Sequence, residues 1–316
     1  MGQNISVSIL MPIYKVDQFL EKALISVFIQ TYKNIDYVFV IDGSPDNSLQ
    51  VLKKTIANCC IEPDRYEIIT HENNEGIAKS RSDCIAMAKG DYIYFVDGDD
   101  WIDENAVEQM VSATKDGSID IVGCDFMKEF QSGKTIYHRE NYGDTCAENL
   151  HRCINYDIAT VLWKLLVRKH LFTFFTISPI NIGEDYIISI KLFYYANSFV
   201  YLNKAFYHYV QYNQNRLSFQ SLRSINDHIK CVEEVECFIK EKGFFDDDIQ
   251  KKILLRKFNI KSNFVLNNML LDENAFNNTF PEANGVWREM GYSRKEKIKF
   301  WLAEHGFFAL LKLIQH

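Results

Sequence analysis

The chain has 316 residues, a net charge of −7 and 47% hydrophobic content, enough apolar material for one large domain or for a domain with an appendage. The acidic balance excludes a general affinity for nucleic-acid phosphates, and the sequence holds no uncharged apolar run of the ~18 residues that a membrane span needs. The eight cysteines form no CxxC pair and have no histidine at metal-ligand spacing, so they read as reduced, mostly buried thiols of a cytoplasmic protein.

Residues 7–11 are a short apolar, β-rich run that predicts a strand. Residues 17–28 carry a helical pattern, with Asp17 as the expected N-cap. The run YVFVI (37–41) predicts a second strand, the turn GSPDN follows, and residues 48–57 predict a second helix. A third strand (66–70), a third helix (77–88) and a fourth strand (92–96) continue the alternation. This order predicts a doubly wound, mostly parallel sheet whose strands are buried on both faces and flanked by helices. The opening MGQNIS also fits a loose myristoylation pattern, but a strand beginning near Ile5 is the better account of it.

In such sheets ligands bind beyond the carboxyl ends of the strands. The residues there are Pro12 and Tyr14, then Asp42, then Glu72, Asn73 and Asn74, then Asp97 and Asp99, so four strands deliver polar side chains to one rim. Neither GxGxxG nor GxxxxGK[ST] occurs at a strand-to-helix turn, which argues against a dinucleotide-binding or P-loop enzyme. After about residue 120 the alternation loosens and aromatic strand-like runs (199–202, 206–210) mix with helices. After Ser224 the pattern is helical to the end. The expected organisation is therefore an α/β domain over 1–222 and a helical C-terminal region over 223–316.

The stretch YIYFVDGDDWID (92–103) ends a buried run in four carboxylates. Asp97-Gly98-Asp99 presents hard oxygen ligands suited to Mg²⁺ or Mn²⁺, with water and substrate phosphates completing the shell. Gly98 allows a tight turn and close approach of a ligand. Asp100 and Asp103 are expected to start the following helix, where acids favour the amino terminus. A calcium loop is the other reading of the run, but it lacks the glutamate at position twelve.

SVSILMPIYK, FVIDGSPDNS and NNEGIAKSRSDCIAMAKGDYIYFVDGDDWI, in this order and spacing, resemble glycosyltransferase family 2 with a GT-A fold. The resemblance is dense over residues 5–112 and thinner to about 220. It implies transfer of a sugar, with inversion, from a nucleotide-diphosphate donor to a hydroxyl acceptor, most often in assembling bacterial surface polysaccharide. It also implies a metal on the donor diphosphate, with Asp99 the direct ligand and Asp97 at the ribose or the metal's waters. Asp42 would accept from the imide N–H of uracil and Tyr14 would lie along the base, which favours a UDP-sugar. Pro12 and Asn74 fall in the same donor-binding set. Arg81 resembles the arginine that neutralises charge near the diphosphate; the bland alternative is a surface cation paired with Asp83 or Glu75. Ile41, Lys15 and Ser82 depart from the family pattern at positions often held by an acid, asparagine and asparagine, which weakens any inference about the donor.

Gly183-Glu184-Asp185 before an apolar helix resembles the family's Glu-Asp motif, in which the aspartate is the base and Glu184 can bind the acceptor. Here the helix amino terminus lowers the aspartate's pKa while Glu184 raises it. FYHYVQYNQNRLSF resembles the family's Tyr-x-Tyr stretch, with Arg216, Ser218 and His208 as candidates to close over the diphosphate, Arg216 ahead of His208. Trp163 and Lys164 fall in a segment that packs beneath the acceptor, Trp163 more in the manner of a core residue.

Residues 293–316 hold five Lys or Arg against two Glu, a local charge of +3 in an acidic chain, interleaved with large apolar side chains. They predict a helix lying on a membrane surface, or else one docked on the catalytic domain or a second subunit. The expected partners are thus a nucleotide-sugar donor, a saccharide or lipid-linked acceptor, and a membrane face or another copy of the chain. Competing functions are nucleotidyl transfer, which would want a glycine-rich basic loop in place of PIYKVDQF, and a non-catalytic nucleotide-sugar or metal-binding module, which would not need Asp185.

Overall fold

The computed structural model of the protein describes residues 5–213, 222–267 and 270–314, in two compact units, Met1–Arg216 and Leu217–His316. The N-terminal unit begins with β1 (Val7–Ile13), α1 (Asp17–Phe28), β2 (Ile35–Asp42), α2 (Ser48–Asn58), β3 (Tyr66–His71), α3 (Ile77–Met87) and β4 (Tyr92–Phe95). All seven residues of β1 and all four of β4 are buried, as continuous apolar runs covered on both faces must be. These four strands are parallel in the order β3-β2-β1-β4. The chain runs outward from β1 to β3 and then returns to the other side of β1. The crevice beyond the carboxyl ends of β1 and β4 is therefore a topological switch point.

The second half of the unit holds β5 (Trp101–Ile102), α4 (Ala106–Ala113), β6 (Ile121–Glu129), β7 (Thr135–His138), α5 (Cys146–Asn155), β8 (Leu165–Arg168), α6 (Glu184–Tyr195) and β9 (Phe199–Val210). It extends the sheet to β3-β2-β1-β4-β8-β6-β9-β5, with β7 paired to β6. β8 runs antiparallel to both β4 and β6, and β9 is parallel to β6 but antiparallel to β5. The sheet is thus mixed. The two aromatic runs expected at 199–202 and 206–210 are one strand, whose pairing with β6 shifts register at Asp125.

Three local expectations are corrected. Pro12 lies inside β1, not after it; the ladder with β4 stops at Leu10, so the missing N–H of Pro12 costs no strand pairing on that side. The N-cap of α1 is Val16, and Asp17 is its first helical residue, its amide donating to Asp46. Neither Asp100 nor Asp103 caps α4, which starts after Asn105. Tertiary partners far along the chain take both acids instead.

The C-terminal unit comprises α7 (Leu222–Glu241), α8 (Asp247–Leu266), α9 (Glu273–Asn278), α10 (Arg294–Glu304) and α11 (Phe308–Ile314). Ile253, Phe258, Phe276, Phe300, Phe308 and Leu311 are buried in it. Ser293 and Glu296 form a capping box at the start of α10. Among the described residues no helix is long and apolar enough to cross a membrane. Four of the eight cysteines are buried, while Cys60 and Cys237 are exposed, so the expectation of mostly buried thiols holds for half of them.

Candidate active site

β4 surfaces at Asp97-Gly98-Asp99, and a side chain at Gly98 would meet Val16 at 2.9 Å, so the turn is held close against the β1–α1 connection. Asp97 and Asp99 are partly exposed. Asp100 is buried. Its Oδ2 accepts from the Tyr207 hydroxyl at 2.8 Å and its Oδ1 from the Val210 amide at 2.8 Å. The Tyr207 hydroxyl also accepts from the Asp97 amide at 3.1 Å, and Asn213 Nδ2 donates to Asp99 Oδ2 at 2.8 Å. β9 and the residues just after it therefore clasp the acidic turn at four points. Burial pushes the Asp100 carboxyl well above the usual range, with the charges of Asp99 and Asp97 adding to the effect.

Opposite the turn stands Arg81, on α3 and 3% exposed. Its Nη1 donates to Glu184 and Asp185, the first two residues of α6, and its Nη2 lies 3.5 Å from Asp185 Oδ2 and 3.8 Å from Asp97 Oδ1. The surface-cation reading of Arg81 is thereby overturned. Asp83 pairs instead with Lys79 and His71. One guanidinium is shared by three carboxylates that come from positions 97, 184 and 185, and the excess negative charge favours a further cation. Although burial works to lower it, the Arg81 pKa is held above its ordinary value by Asp185 and Glu184. Burial raises the Asp185 carboxyl against the pull of Arg81, and with the charge of Glu184 adding to the effect it stands at about 7. Of the two opposing effects expected from the sequence, the raising one prevails, and burial is its larger part.

The second carboxylate at the rim is Asp42, the last residue of β2 and 3% exposed. It accepts from the amides of Glu75 (2.8 Å, Oδ1) and Gly76 (2.9 Å, Oδ2), and its Oδ1 is 2.7 Å from His71 Nδ1. His71 Nε2 lies 2.9 Å from Asp83. The loop can come this close because Gly43 (φ 59) has no side chain: a Cβ there would lie 2.2 Å from the carbonyl carbon of Asn73. Tyr14 and Asn74 stand exposed on the same rim.

The sequence reading passed over His71, although it is the Cα partner of Asp42 in the β2–β3 ladder. The signal in the sequence is the position of His71 directly after the expected third strand (66–70), at the end where ligands bind. Burial of the ring works to lower its pKa, and the carboxylates of Asp42 and Asp83 raise it above 6.5 overall. A raised folded-state value gives stability that is complete below pH 6.5 and fades as pH climbs through the folded value. His71→Gln is expected to destabilise the protein by about 1.5–3 kcal/mol at pH 6 and by less at pH 9, checked by urea unfolding at both. An equal loss at the two pH values would assign the ring to packing alone.

His208 is occupied structurally: Nδ1 is 2.7 Å from Glu129, Nε2 is 3.1 Å from Asp103, and the ring stacks on Trp101. Trp163 is core, stacked on Tyr207. Lys164 is buried 3.0 Å from Glu140. Arg216 and Ser218 lie outside the described residues.

Asp97 and Asp99 suit a hard divalent ion. No group of three or more His, Cys, Asp or Glu able to hold a metal occurs among the described residues, so ligand oxygens would have to complete the shell. That is the usual pattern for Mg²⁺ on a phosphate.

Comparison with known proteins gives a consistent picture. The family model described as "Glycosyl transferase family 2" matches residues 8–183. "Glycosyltransferase GlyA" of Streptococcus pneumoniae is 27% identical over 64% of this chain and 30% of its own length. "Uncharacterized glycosyltransferase EpsJ" of Bacillus subtilis is 28% identical over 67% of this chain and 62% of its own. The chain thus spans less than two thirds of either relative. A crystal structure of S. aureus TarS 1-349 in complex with UDP-GlcNAc superposes with a TM-score of 0.70 at 17% identity, covering 96% of this chain and 89% of that one.

Proposed function

The chain belongs to glycosyl transferase family 2, and on that premise we propose that it transfers a sugar, with inversion, from a UDP-sugar to a hydroxyl acceptor in building a bacterial surface polysaccharide. The observation that carries the reading is Arg81, a buried cation that joins the acidic turn after β4 to the Glu-Asp pair opening α6. A donor diphosphate at the turn and an acceptor at the pair would meet across it.

In this reading Asp185 takes the acceptor's hydroxyl proton as the oxygen bonds to the anomeric carbon. The bond from that carbon to the diphosphate breaks, and UDP leaves with the electron pair. Glu184 holds the acceptor, and Arg81 offers its charge to the leaving diphosphate as that charge develops. Asp99 and Asp97 would hold Mg²⁺ or Mn²⁺, which supplies Lewis-acid stabilisation of the diphosphate when bound. Tyr14 and Asn74, exposed on the rim, are expected to meet the nucleoside, with Pro12 and Asp42, both buried, supporting them, and Arg216 is the expected closing residue. The acceptor is a saccharide or a lipid-linked saccharide, and the work is done on the cytoplasmic side of the membrane. The UDP-GlcNAc held by the TarS fragment supports the uridine reading.

The test is nucleotide release from UDP-, GDP- and CMP-sugars with and without Mn²⁺. UDP release that requires metal is expected, and Asp99→Ala should reduce it by about 10²-fold or more. No release from any donor, together with metal-independent binding, would assign the chain to non-catalytic nucleotide-sugar binding.

A further inference from the structure

α10 and α11 are apolar on two faces. Inward, Phe300 and Ala303 of α10 and Phe308 and Leu311 of α11 are buried in the C-terminal unit. Outward, Ile298 (50% exposed), Trp301 (43%), Phe307 (45%), Leu310 (46%) and Leu313 (75%) face solvent. Arg294, Lys297, Ile298 and Trp301 recur at helical spacing along one stripe of α10. Trp301 then stacks on Phe307, in the turn just before α11, with centroids 5.9 Å apart, so the apolar surface of α10 reaches the connection to α11. Beside it a cleft of about 500 Å³ is lined by Trp287, Tyr292, Arg294, Lys297, Ile298 and Trp301. Core packing accounts for the inner face and leaves the outer one unexplained.

We propose that this face binds the anionic surface of a lipid bilayer, with α10 and α11 lying in the interface plane. The charge argues for it: residues 293–316 carry +3 while the chain as a whole carries −7, so the segment is attracted to a negative surface that repels the rest. The side chains argue for it as well. An exposed tryptophan beside phenylalanine and leucines, rimmed by Lys and Arg, is the composition that settles at the headgroup level. A second copy is the weaker occupant, because a two-fold contact would set this positive face against itself. The inference does not depend on the transfer chemistry, and its readout is binding alone.

The experiment is co-flotation of the full chain with phosphatidylcholine vesicles with and without phosphatidylglycerol. Binding is expected only with the anionic lipid and is lost at high salt. Arg294→Glu with Lys295→Glu should weaken it by about thirtyfold or more, since each basic residue contributes about 1 kcal/mol at such a surface. Acids in the first turn of α10 also favour the helix, so circular dichroism should be unchanged. Leu313→Asp, at an exposed position, should weaken binding independently. Absence of binding, equal binding by the charge-reversed variant, or a concentration-dependent oligomer dissolved by Leu313→Asp would each overturn the proposal, the last in favour of self-association.

Discussion

An Asp185→Asn variant binds donor as the unaltered protein does and transfers sugar about 10²–10⁴-fold more slowly, the range a positioned carboxylate base contributes. Donor binding is expected to survive because Arg81 keeps its pairings with Glu184 and Asp97, Tyr14, Asp42, Asn74 and Asp99 are untouched, and the amide keeps the size of the carboxyl. The unaltered protein should show the signature of the group removed. Its carboxyl is raised to about 7 by burial, with Glu184 adding to the effect. A base acts when ionised, so kcat/KM for the acceptor should climb as pH rises through about 7 and level off above it. In the variant the remaining activity should lose that step. An Asp185→Asn protein that transfers at the normal rate would remove this residue from the chemistry, whatever happens to donor binding.

Arg81→Met is expected to destabilise the protein by about 3–5 kcal/mol at pH 8, because it leaves buried acids without their shared counter-charge. The side chain of Arg81 is 4% exposed and those of Glu184 and Asp185 are 8% and 19% exposed, so solvent can replace little of what is lost. The loss should shrink as pH falls: without the guanidinium both carboxyls take up protons more readily, and a protonated pair no longer needs a cation. Urea unfolding at pH 5 and pH 8 measures the difference. Arg81→Lys should recover only part of it, since a point charge cannot fork to two carboxylates. An equal loss at both pH values would mean that Arg81 acts through packing over Phe95, which its guanidinium faces at 5.7 Å. Transfer should be lost in either substitution under the reading proposed above.

What the sequence shows and what it hides divide along a physical line. β1, β2 and β4 are legible because each is a largely apolar run bounded by turn residues, as strands covered on both faces must be, whereas β3, at the sheet edge, is only partly buried and carries Glu67 and Thr70. Asp97, Asp99, Glu184 and Asp185 are legible because short motifs mark them. The pairing of Arg81 is not, since its partners on α6 are more than a hundred residues away while Asp83 and Glu75 offer local ones. Asp100 misleads for the same reason. Acids before a helix suggest a cap, yet the phenol and amide that take this one arrive with β9. β8, four residues long and antiparallel to its neighbours, carries no periodic signal from which its place between β4 and β6 could be read. Local rules fail where a partner enters from a remote segment, and those places are here mostly at the site.

The clasp of β9 on the acidic turn sets a limit on dissection. The stretch that matches the family ends at residue 183, one position before Glu184. A fragment cut there would keep every strand of the parallel half and the whole of Asp97-Gly98-Asp99. It would nonetheless lack two of the three acids that Arg81 meets, the phenol and amide that hold Asp100, and the amide side chain that meets Asp99. A truncation intended as a minimal nucleotide-binding piece should therefore extend through Asn213.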